Sequence, residues 1–576
     1  MSNQNNKPQF RFEVDSVHPK TGGVLNNLPN KAAKRVSPTD AVAIFAARKT
    51  RVDAAHLPQA VARMQTQSFA AQPGFASTTQ SPASIAEMAR ALKNDVDLIF
   101  YHVYNQIEYY PTNGVQKGSL GCLIDGIGNA WDQASLLVDL LREAGYTANF
   151  VYGVIDLSKD EAAAWLGTDS SDIVLPSYVL THGGIPNNPY GEGEEARISL
   201  NHVWVKVEID NVEYVLDPSY KAYTNISGID LGVAMDYDQT SLLSAADTGT
   251  THGTGDLWIQ NVNESAIGTE LTGYASNLID WIKTNNPTAT MEEIVGGRSI
   301  NQIDTPVRQT SLPYETGEPD SWEVIPNEYR TTMQFEYPGI DRTFFSDEIY
   351  GKRLTFFFNT SYEPELRLDG ELKNAGTAQA ADSSALALVT ILHPYVDTVY
   401  DQSFNLLINA PYTGNVVTFY YLIGATFGAT REGMVHYHEK RMSVAKASGA
   451  NEFAEELLGE QLSVAFYTLA AELARSSDLL SQMSNCKYVY HHNVGRCARI
   501  SAPTFFDFAI FDVPGVSVSF STLVEDNDEA AEKLSFAIGM HSYAIEQLAL
   551  AQVLGIPASS ATTVLQKANS DGPLCL

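Results

Sequence analysis

Two stretches decide the fold: "GIGNAWDQASLLVDLLREAGYTANFVYG" at residues 126–153 and "LNHVWVKVEIDNVEYVLDPSYKAY" at residues 200–223. In the first, apolar residues recur at helical spacing and Gly145 closes the run. This pattern predicts a helix over residues 130–143, followed by a strand. In the second, two alternating runs flank Asn211, which predicts two antiparallel strands joined by a tight turn.

The predicted elements bring together the parts of a cysteine-type acyl-transfer site. Such a site needs a thiolate, a base that generates it, and a group that orients the base. His202 begins one predicted strand and Asp217 ends the next, so we expect the two side chains to meet. A thiol at a helix N-terminus would be activated by the helix dipole. The residue at that position is Ala130, so the nucleophile is missing.

Four separated motifs, in this order, resemble the transglutaminase-like superfamily of papain-type folds, whose catalytic order is Cys, His, Asp. The matching stretches are "GNAWDQASLL" (128–137), "LLREAGYTA" (140–148), "HVW" (202–204) and "LDPS" (216–219). The segment "YNQIEYYPTNGVQKGSLG" (104–121) is similar to transglutaminase-like regions of large bacterial proteins with RHS/YD repeats.

The resemblance implies that His202 is the general base, Asp217 its orienting group, and Ala130 the nucleophile position. Asn129, Trp131 and Trp204 are predicted to contact substrate. The parent reaction would be peptide hydrolysis or amide exchange through a thioester, with hydrolysis or self-processing favoured over cross-linking. We expect a peptide or protein segment as partner, a segment of the same chain included, and neither metal nor organic cofactor.

The alanine at position 130 has three explanations. It is an engineered replacement of cysteine, a natural loss in a non-catalytic member, or a change compensated by Cys122. The third ranks lowest, because Cys122 is predicted to lie in a Gly-rich loop without an activating helix terminus. We therefore expect this chain to be inactive. The alternative function is a peptide-binding or structural module of a large bacterial secreted or effector protein.

Composition narrows the class of protein. The chain has 576 residues and a formal net charge of −31, which disfavours nucleic acid as a partner. Residues 1–51 are the exception, with nine Lys and Arg against three Asp and Glu. Four cysteines are too few for a disulfide-based fold.

Neither a classical signal peptide nor a membrane span is visible, which predicts a soluble protein that is cytoplasmic or exported non-classically. The abrupt C-terminus suggests a fragment of a longer protein.

The chain is predicted to be a multi-domain α+β protein, with a papain/transglutaminase-like core, an antiparallel β domain and a helix-rich C-terminal region. The predicted parts are a basic arm and linker (1–80), the transglutaminase-like domain (81–250), a helical connector (251–325), the β domain (326–445) and an α/β C-terminal region (446–576).

Two other groups of residues have metal-binding side chains. "NCKYVYHHNVGRC" contains Cys486, His491, His492 and Cys497, but its spacing fits no familiar zinc motif, and we interpret it as a hairpin with exposed histidines. A disulfide between the two cysteines is a further alternative. "MVHYHEKR" is predicted to be a strand with His436 and His438 on one face, a pattern more often found without a metal.

Overall fold

A computed structural model gives the structure of the protein. It describes residues 84–168, 170–171, 173–252, 259–395, 401–410, 418–423 and 432–450, and the shorter stretches 456–457, 459–461, 463–464, 467–468, 487–491, 496–501, 505–509 and 515–520. These residues fall into two compact units. The smaller unit contains those between Ile229 and Thr290, and the larger contains those of Ser77–Gly228 and Met291–Leu554.

The larger unit begins with the elements that form the predicted acyl-transfer domain. Its helices are α1 (Ile85–Ala91), α2 (Val96–Gln106), α3 (Gly118–Asp125), α4 (Ala130–Glu143), α5 (Lys159–Leu166) and α6 (Val174–His182). Its strands are β1 (Glu108–Tyr109), β2 (Ile127–Gly128), β3 (Ala148–Ser158), β4 (Asn187–Tyr190), β5 (Arg197–Ile209), β6 (Val212–Leu216) and β7 (Tyr223–Ile226). The predicted helix over residues 130–143, the strand after it and the pair of strands around Asn211 are confirmed.

Local signals explain these boundaries. Ser84 and Asp95 cap the first two helices by accepting backbone N–H groups with their side chains. Gly145, with φ +93°, follows helix α4 in the left-handed conformation that favours glycine. Asn211 adopts a positive φ of 63° in the turn between β5 and β6, which asparagine tolerates better than most residues.

Helix α4 is the central helix of this part, and it packs against strands β3 and β5. Its apolar residues are fully buried along the whole length; they include Leu136, Leu137, Leu140 and Leu141. A helix that is apolar on most sides requires neighbours on most sides. Helices α1 and α2, which also pack on α4, and the sheet supply them.

The sheet beneath helix α4 is antiparallel and runs in the order β11-β3-β5-β4, with β6 also paired to β5. Strand β11 (Glu315–Trp322) follows α10 (Met291–Val295) and β10 (Gly297–Ile300), which pairs with β7. The buried residues of helix α4 and of this sheet form one hydrophobic cluster, the first core. The chain after residue 300 returns to this core: Leu312 is buried in it, and Tyr314 and Trp322 pack at its margin.

A second core lies within the same unit and is built almost entirely from β-strands. Two antiparallel sheets run β13-β12-β17-β18 and β16-β15-β14-β19-β21-β22, and their buried side chains share one cluster that includes Phe335, Phe356 and Leu366. The elements are β12 (Thr332–Tyr337), β13 (Ile340–Phe345), α11 (Ser346–Ile349), β14 (Leu354–Phe358), β15 (Pro364–Leu368), β16 (Glu371–Ala375), β17 (Ser384–Leu392), β18 (Gln402–Asn409) and β19 (Thr418–Ile423). The expectation of antiparallel β structure here is confirmed.

The prediction of a strand at "MVHYHEKR" is wrong. Those residues lie in helix α12 (Glu432–Ala447). Met434, His438 and Ala445 are the buried positions, and their spacing of four and seven residues is helical. His436, two residues before His438, has a side chain that is 74% exposed, so the two histidines do not share a face.

The predicted hairpin around "NVG" is also wrong. The strands on either side are β20 (Lys487–His491) and β21 (Arg496–Ser501), and they belong to different sheets. Strand β20 pairs with β23 (Gly515–Phe520), whereas β21 lies between β19 and β22 (Phe505–Ala509). Cys486 and His492, the remaining members of the predicted group, lie outside the described residues.

The smaller unit contains helices α7 (Leu231–Met235), α8 (Gln239–Asp247) and α9 (Glu264–Asn285), with the short pair β8 (Thr251–His252) and β9 (Ile259–Gln260). Helix α9 lies within the segment that was predicted to be a helical connector. The boundaries predicted for the five parts of the chain stay a prediction, as does the arm at 1–80, all of which lies outside the described residues. Among the helices that the structure describes, none combines the length and apolarity needed to cross a bilayer.

Candidate active site

His202 and Asp217 form a buried hydrogen-bonded pair. His202 lies on β5, opposite Gly153 of β3, and Asp217 follows the end of β6. The Nε2 atom of His202 lies 2.9 Å from Oδ2 of Asp217, and the two residues are 3% and 5% exposed. Because a carboxylate only accepts, Nε2 carries the proton and Nδ1 of the neutral ring keeps a lone pair. Nδ1 makes no hydrogen bond to a described residue, so it is the nitrogen able to act as a base.

The carboxylate of Asp217 is held by further donors. Its Oδ1 atom accepts the backbone N–H of Ser219 at 3.0 Å and of Tyr220 at 3.1 Å, as well as the Ser219 hydroxyl at 3.0 Å. Its Oδ2 atom accepts the hydroxyl of Tyr314 at 3.0 Å in addition to His202. Burial raises the pKa of Asp217, but the attraction of His202 and these hydrogen bonds outweigh it, and the resulting pKa lies below the usual value.

Aromatic residues fix the plane of the imidazole. Trp165 of α5 meets the His202 ring edge-on, with centroids 5.6 Å apart, and its Nε1–H donates to the Ser219 carbonyl at 2.9 Å. Trp204 stacks on the same ring, with centroids 6.3 Å apart. Helix α5 thus contributes a side chain to the site. The ring of His202 is therefore held in one orientation before any substrate binds.

Helix α4 begins at the predicted nucleophile position. Ala130 is its first residue and is 6% exposed. Asn129 caps the helix, with its side chain accepting the Asp132 N–H at 2.9 Å and donating to the Gly114 carbonyl at 2.7 Å and to Thr112 at 3.0 Å. Of the first-turn N–H groups, that of Asp132 is taken by Asn129, which leaves those of Ala130 and Trp131 to stabilise a thiolate or an oxyanion.

Asp132 fastens the preceding loop to this helix. Its Oδ1 atom accepts the backbone N–H groups of Gln116, Lys117 and Gly118 at 3.0, 2.9 and 2.9 Å. Its Oδ2 atom accepts the Tyr110 hydroxyl at 3.3 Å. Burial raises the pKa of Asp132 to about 6, although the charge of Lys117 and the three N–H groups act against the rise.

Cys122 does not lie in a loop, as the sequence had suggested. It is in helix α3 (Gly118–Asp125) and fully buried, and a side chain on Gly128 would collide with its sulfur. Burial raises the pKa of the Cys122 thiol well above its usual value, and the nearby charge of Asp132 adds to the effect. Its low ranking as a substitute nucleophile therefore stands, for the physical reason that a buried thiol resists ionisation.

The three residues predicted to contact substrate are all buried. Asn129 is engaged as a helix cap, Trp204 lies in the first core, and Trp131 donates from Nε1 to Asn113 at 3.1 Å and stacks on Tyr329. Their role in substrate binding stays a prediction. Three contributors were missed: Ser219, which stands inside the "LDPS" motif, and Trp165 and Tyr314, for which the sequence offers no signal.

Within the described ranges, no group of three or more His, Cys, Asp or Glu residues is placed to hold a metal ion. Buried Lys221, four residues after Asp217, donates to the last-turn carbonyls of helix α2, Val103 at 3.0 Å and Tyr104 at 2.5 Å. Burial lowers the pKa of Lys221 to about 7. We attribute this lysine to closing the end of α2.

Residues 79–218 match the model of the transglutaminase-like superfamily, so the chain contains a transglutaminase-like domain, as the four motifs predicted. No curated protein and no solved structure matches the chain.

Proposed function

We propose that residues 79–218 are a cysteine-type acyl-transfer scaffold whose nucleophile position, 130, carries alanine, so that this chain forms no thioester. The observation that supports this most is the buried His202–Asp217 pair on a strand packed against the helix that begins at Ala130. The family match to the same residues supports it independently.

In the parent reaction, Nδ1 of His202 would take the proton of a thiol at position 130. The thiolate would attack an amide carbonyl, and the first-turn N–H groups of α4 would hold the oxyanion. The imidazolium, stabilised by Asp217, would return the proton to the leaving amine. The resulting thioester would pass to water or to a second amine. We favour water, and a peptide or protein segment as substrate.

The test restores the thiol with Ala130→Cys and follows alkylation by iodoacetamide at pH 6. An ordinary thiol with a pKa near 8.5 is about 0.3% ionised at this pH, whereas a thiol paired with His202 would be largely ionised. Allowing for the weaker nucleophilicity of a low-pKa thiolate, we expect labelling at least about tenfold faster than in the matched Ala130→Cys, His202→Gln chain.

The unmodified chain supplies the background from its four native cysteines. Equal labelling rates with and without His202 would refute the acyl-transfer proposal. The second candidate is a non-catalytic module that binds a peptide, which is favoured by the retention of the His202–Asp217 pair without a thiol. The natural and the engineered origin of the alanine stay alternative predictions, and the association with RHS/YD-repeat proteins of bacteria stays a prediction.

A further inference from the structure

We propose that Tyr314, from outside the matched family region, is a positioning residue that sets the basicity of His202 through Asp217. The inference rests on the proposed function, since it assigns His202 the role of base. The Tyr314 hydroxyl donates to Oδ2 of Asp217 at 3.0 Å, the same oxygen that accepts Nε2 of His202 at 2.9 Å. The two donors therefore share one acceptor atom.

Tyr314 is held in place from both sides. Its carbonyl accepts the backbone N–H of Asp156 at 2.9 Å, immediately before strand β11 pairs with β3 through Glu315 and Ile155. Its ring packs on Tyr220, with centroids 4.5 Å apart. These contacts hold the Tyr314 side chain where its hydroxyl donates to Asp217.

The position has an electrostatic consequence. A donor to a carboxylate disperses its negative charge, and the carboxylate then attracts a neighbouring imidazolium less strongly. Tyr314 thus lowers the affinity of His202 for its proton, while the Ser219 and Tyr220 donors act on the opposite oxygen. Burial and the charge of Asp217 raise the pKa of Tyr314 well above its usual value, so the hydroxyl remains a donor across the working range of pH.

The experiment is an NMR titration of His202 in the full chain with Ala130 in place and histidine ¹³C-labelled, with the resonance assigned by its loss in His202→Gln. Tyr314→Phe keeps the ring against Tyr220 and removes only the hydroxyl. We expect the pKa of His202 to rise by roughly half a unit. The matched control is Tyr337→Phe, which removes a buried hydroxyl that bonds to no described residue, in the second core.

A second variant should change the pKa of His202 in the opposite direction, which a general effect of misfolding would not do. 3-Fluorotyrosine at position 314 is a stronger donor of similar shape, and it should lower the pKa of His202. A shift in Tyr314→Phe no larger than in Tyr337→Phe, or shifts of the same sign in both Tyr314 variants, would overturn the proposal. The titration needs no thiol, so its failure is distinguishable from a failure of the labelling test. The two results can therefore stand or fall separately.

Discussion

Replacement of Asp132 should separate the two roles of this buried carboxylate, as loop anchor and as buried charge. In Asp132→Ala the N–H groups of Gln116, Lys117 and Gly118 lose their acceptor. A buried unpaired N–H costs about 1–3 kcal/mol, so three cost at least about 3 kcal/mol of unfolding free energy at pH 4, where the carboxyl of the folded chain is protonated and its removal relieves no buried charge. Asp132→Asn keeps an acceptor oxygen without the charge, and its cost should be much smaller.

The contribution of Asp132 to the free energy of unfolding depends on pH. The folded-state pKa of about 6 lies above the ordinary value of 3.8, so the contribution of Asp132 to stability is complete below pH 3.8 and is lost as the pH rises through 6. The difference of about two units corresponds to about 3 kcal/mol. As the pH rises from 4 to 7, the free energy of unfolding of Asp132→Asn should therefore increase by about 3 kcal/mol relative to that of the unmodified chain.

Urea unfolding followed by tryptophan fluorescence measures both quantities, and hydrogen exchange of residues 116–118 reports the loop itself. The idea fails if the Ala and Asn variants have equal stability at pH 7. It also fails if the difference between the Asn variant and the unmodified chain does not change with pH.

Two further predictions concern the site and its packing. Asp217→Asn should lower the free energy of unfolding by roughly 2–3 kcal/mol, measured in urea at pH 7. Because the pKa of Asp217 is lowered in the folded chain, the stabilisation by its carboxylate is present above pH 3.8 and disappears as the pH falls through the folded-state pKa. An equal loss of stability at pH 3 and pH 7 would contradict this prediction. In Gly183→Ala the new Cβ would collide with the Pro111 carbonyl oxygen, which should lower the free energy of unfolding by about 1–3 kcal/mol. The control Gly268→Ala, with open space in helix α9, should raise it by roughly 0.5–1 kcal/mol. Calorimetry that shows the same change in both variants would contradict this.

The elements nearest the site were predictable because their signals are local. The cap at Asn129 and the Gly145 end fix helix α4, and the turn at Asn211 fixes the register of β5 and β6, which places His202 beside Asp217. Each of these signals depends on only a few neighbouring residues, so it can be recognised in a single sequence.

The errors arose where one pattern suits two structures. Gly118, Gly121 and Gly126 suggested a loop, yet they begin, pack and end helix α3: Gly118 and Gly126 have positive φ, and a side chain on Gly121 would meet the Tyr350 ring. In "MVHYHEKR" the two histidines suggested strand alternation, whereas the helical spacing of Met434 and His438 became visible only through burial.

Tyr314 was beyond the reach of sequence reasoning for a different reason. It lies 97 residues from Asp217, and nothing in "SLPYETGEP" marks a residue that returns to the site. Such contacts depend on how strand β11 joins the sheet, and a bulge between Thr316 and Asp320 shifts that pairing. The chemistry of a tyrosine hydroxyl is readable from sequence, but its destination is a property of the whole sheet.

Strand β11 has a consequence for how this protein can be divided. It covers the otherwise open border of β3, whose backbone groups would be free to pair with another chain if it were removed. A recombinant fragment that ends at residue 218, where the family match ends, would lose strand β11 and also Tyr314, whose hydroxyl donates to Asp217. We expect such a fragment to self-associate, and the smallest well-behaved version should extend through Tyr329, whose carbonyl pairs with Val115.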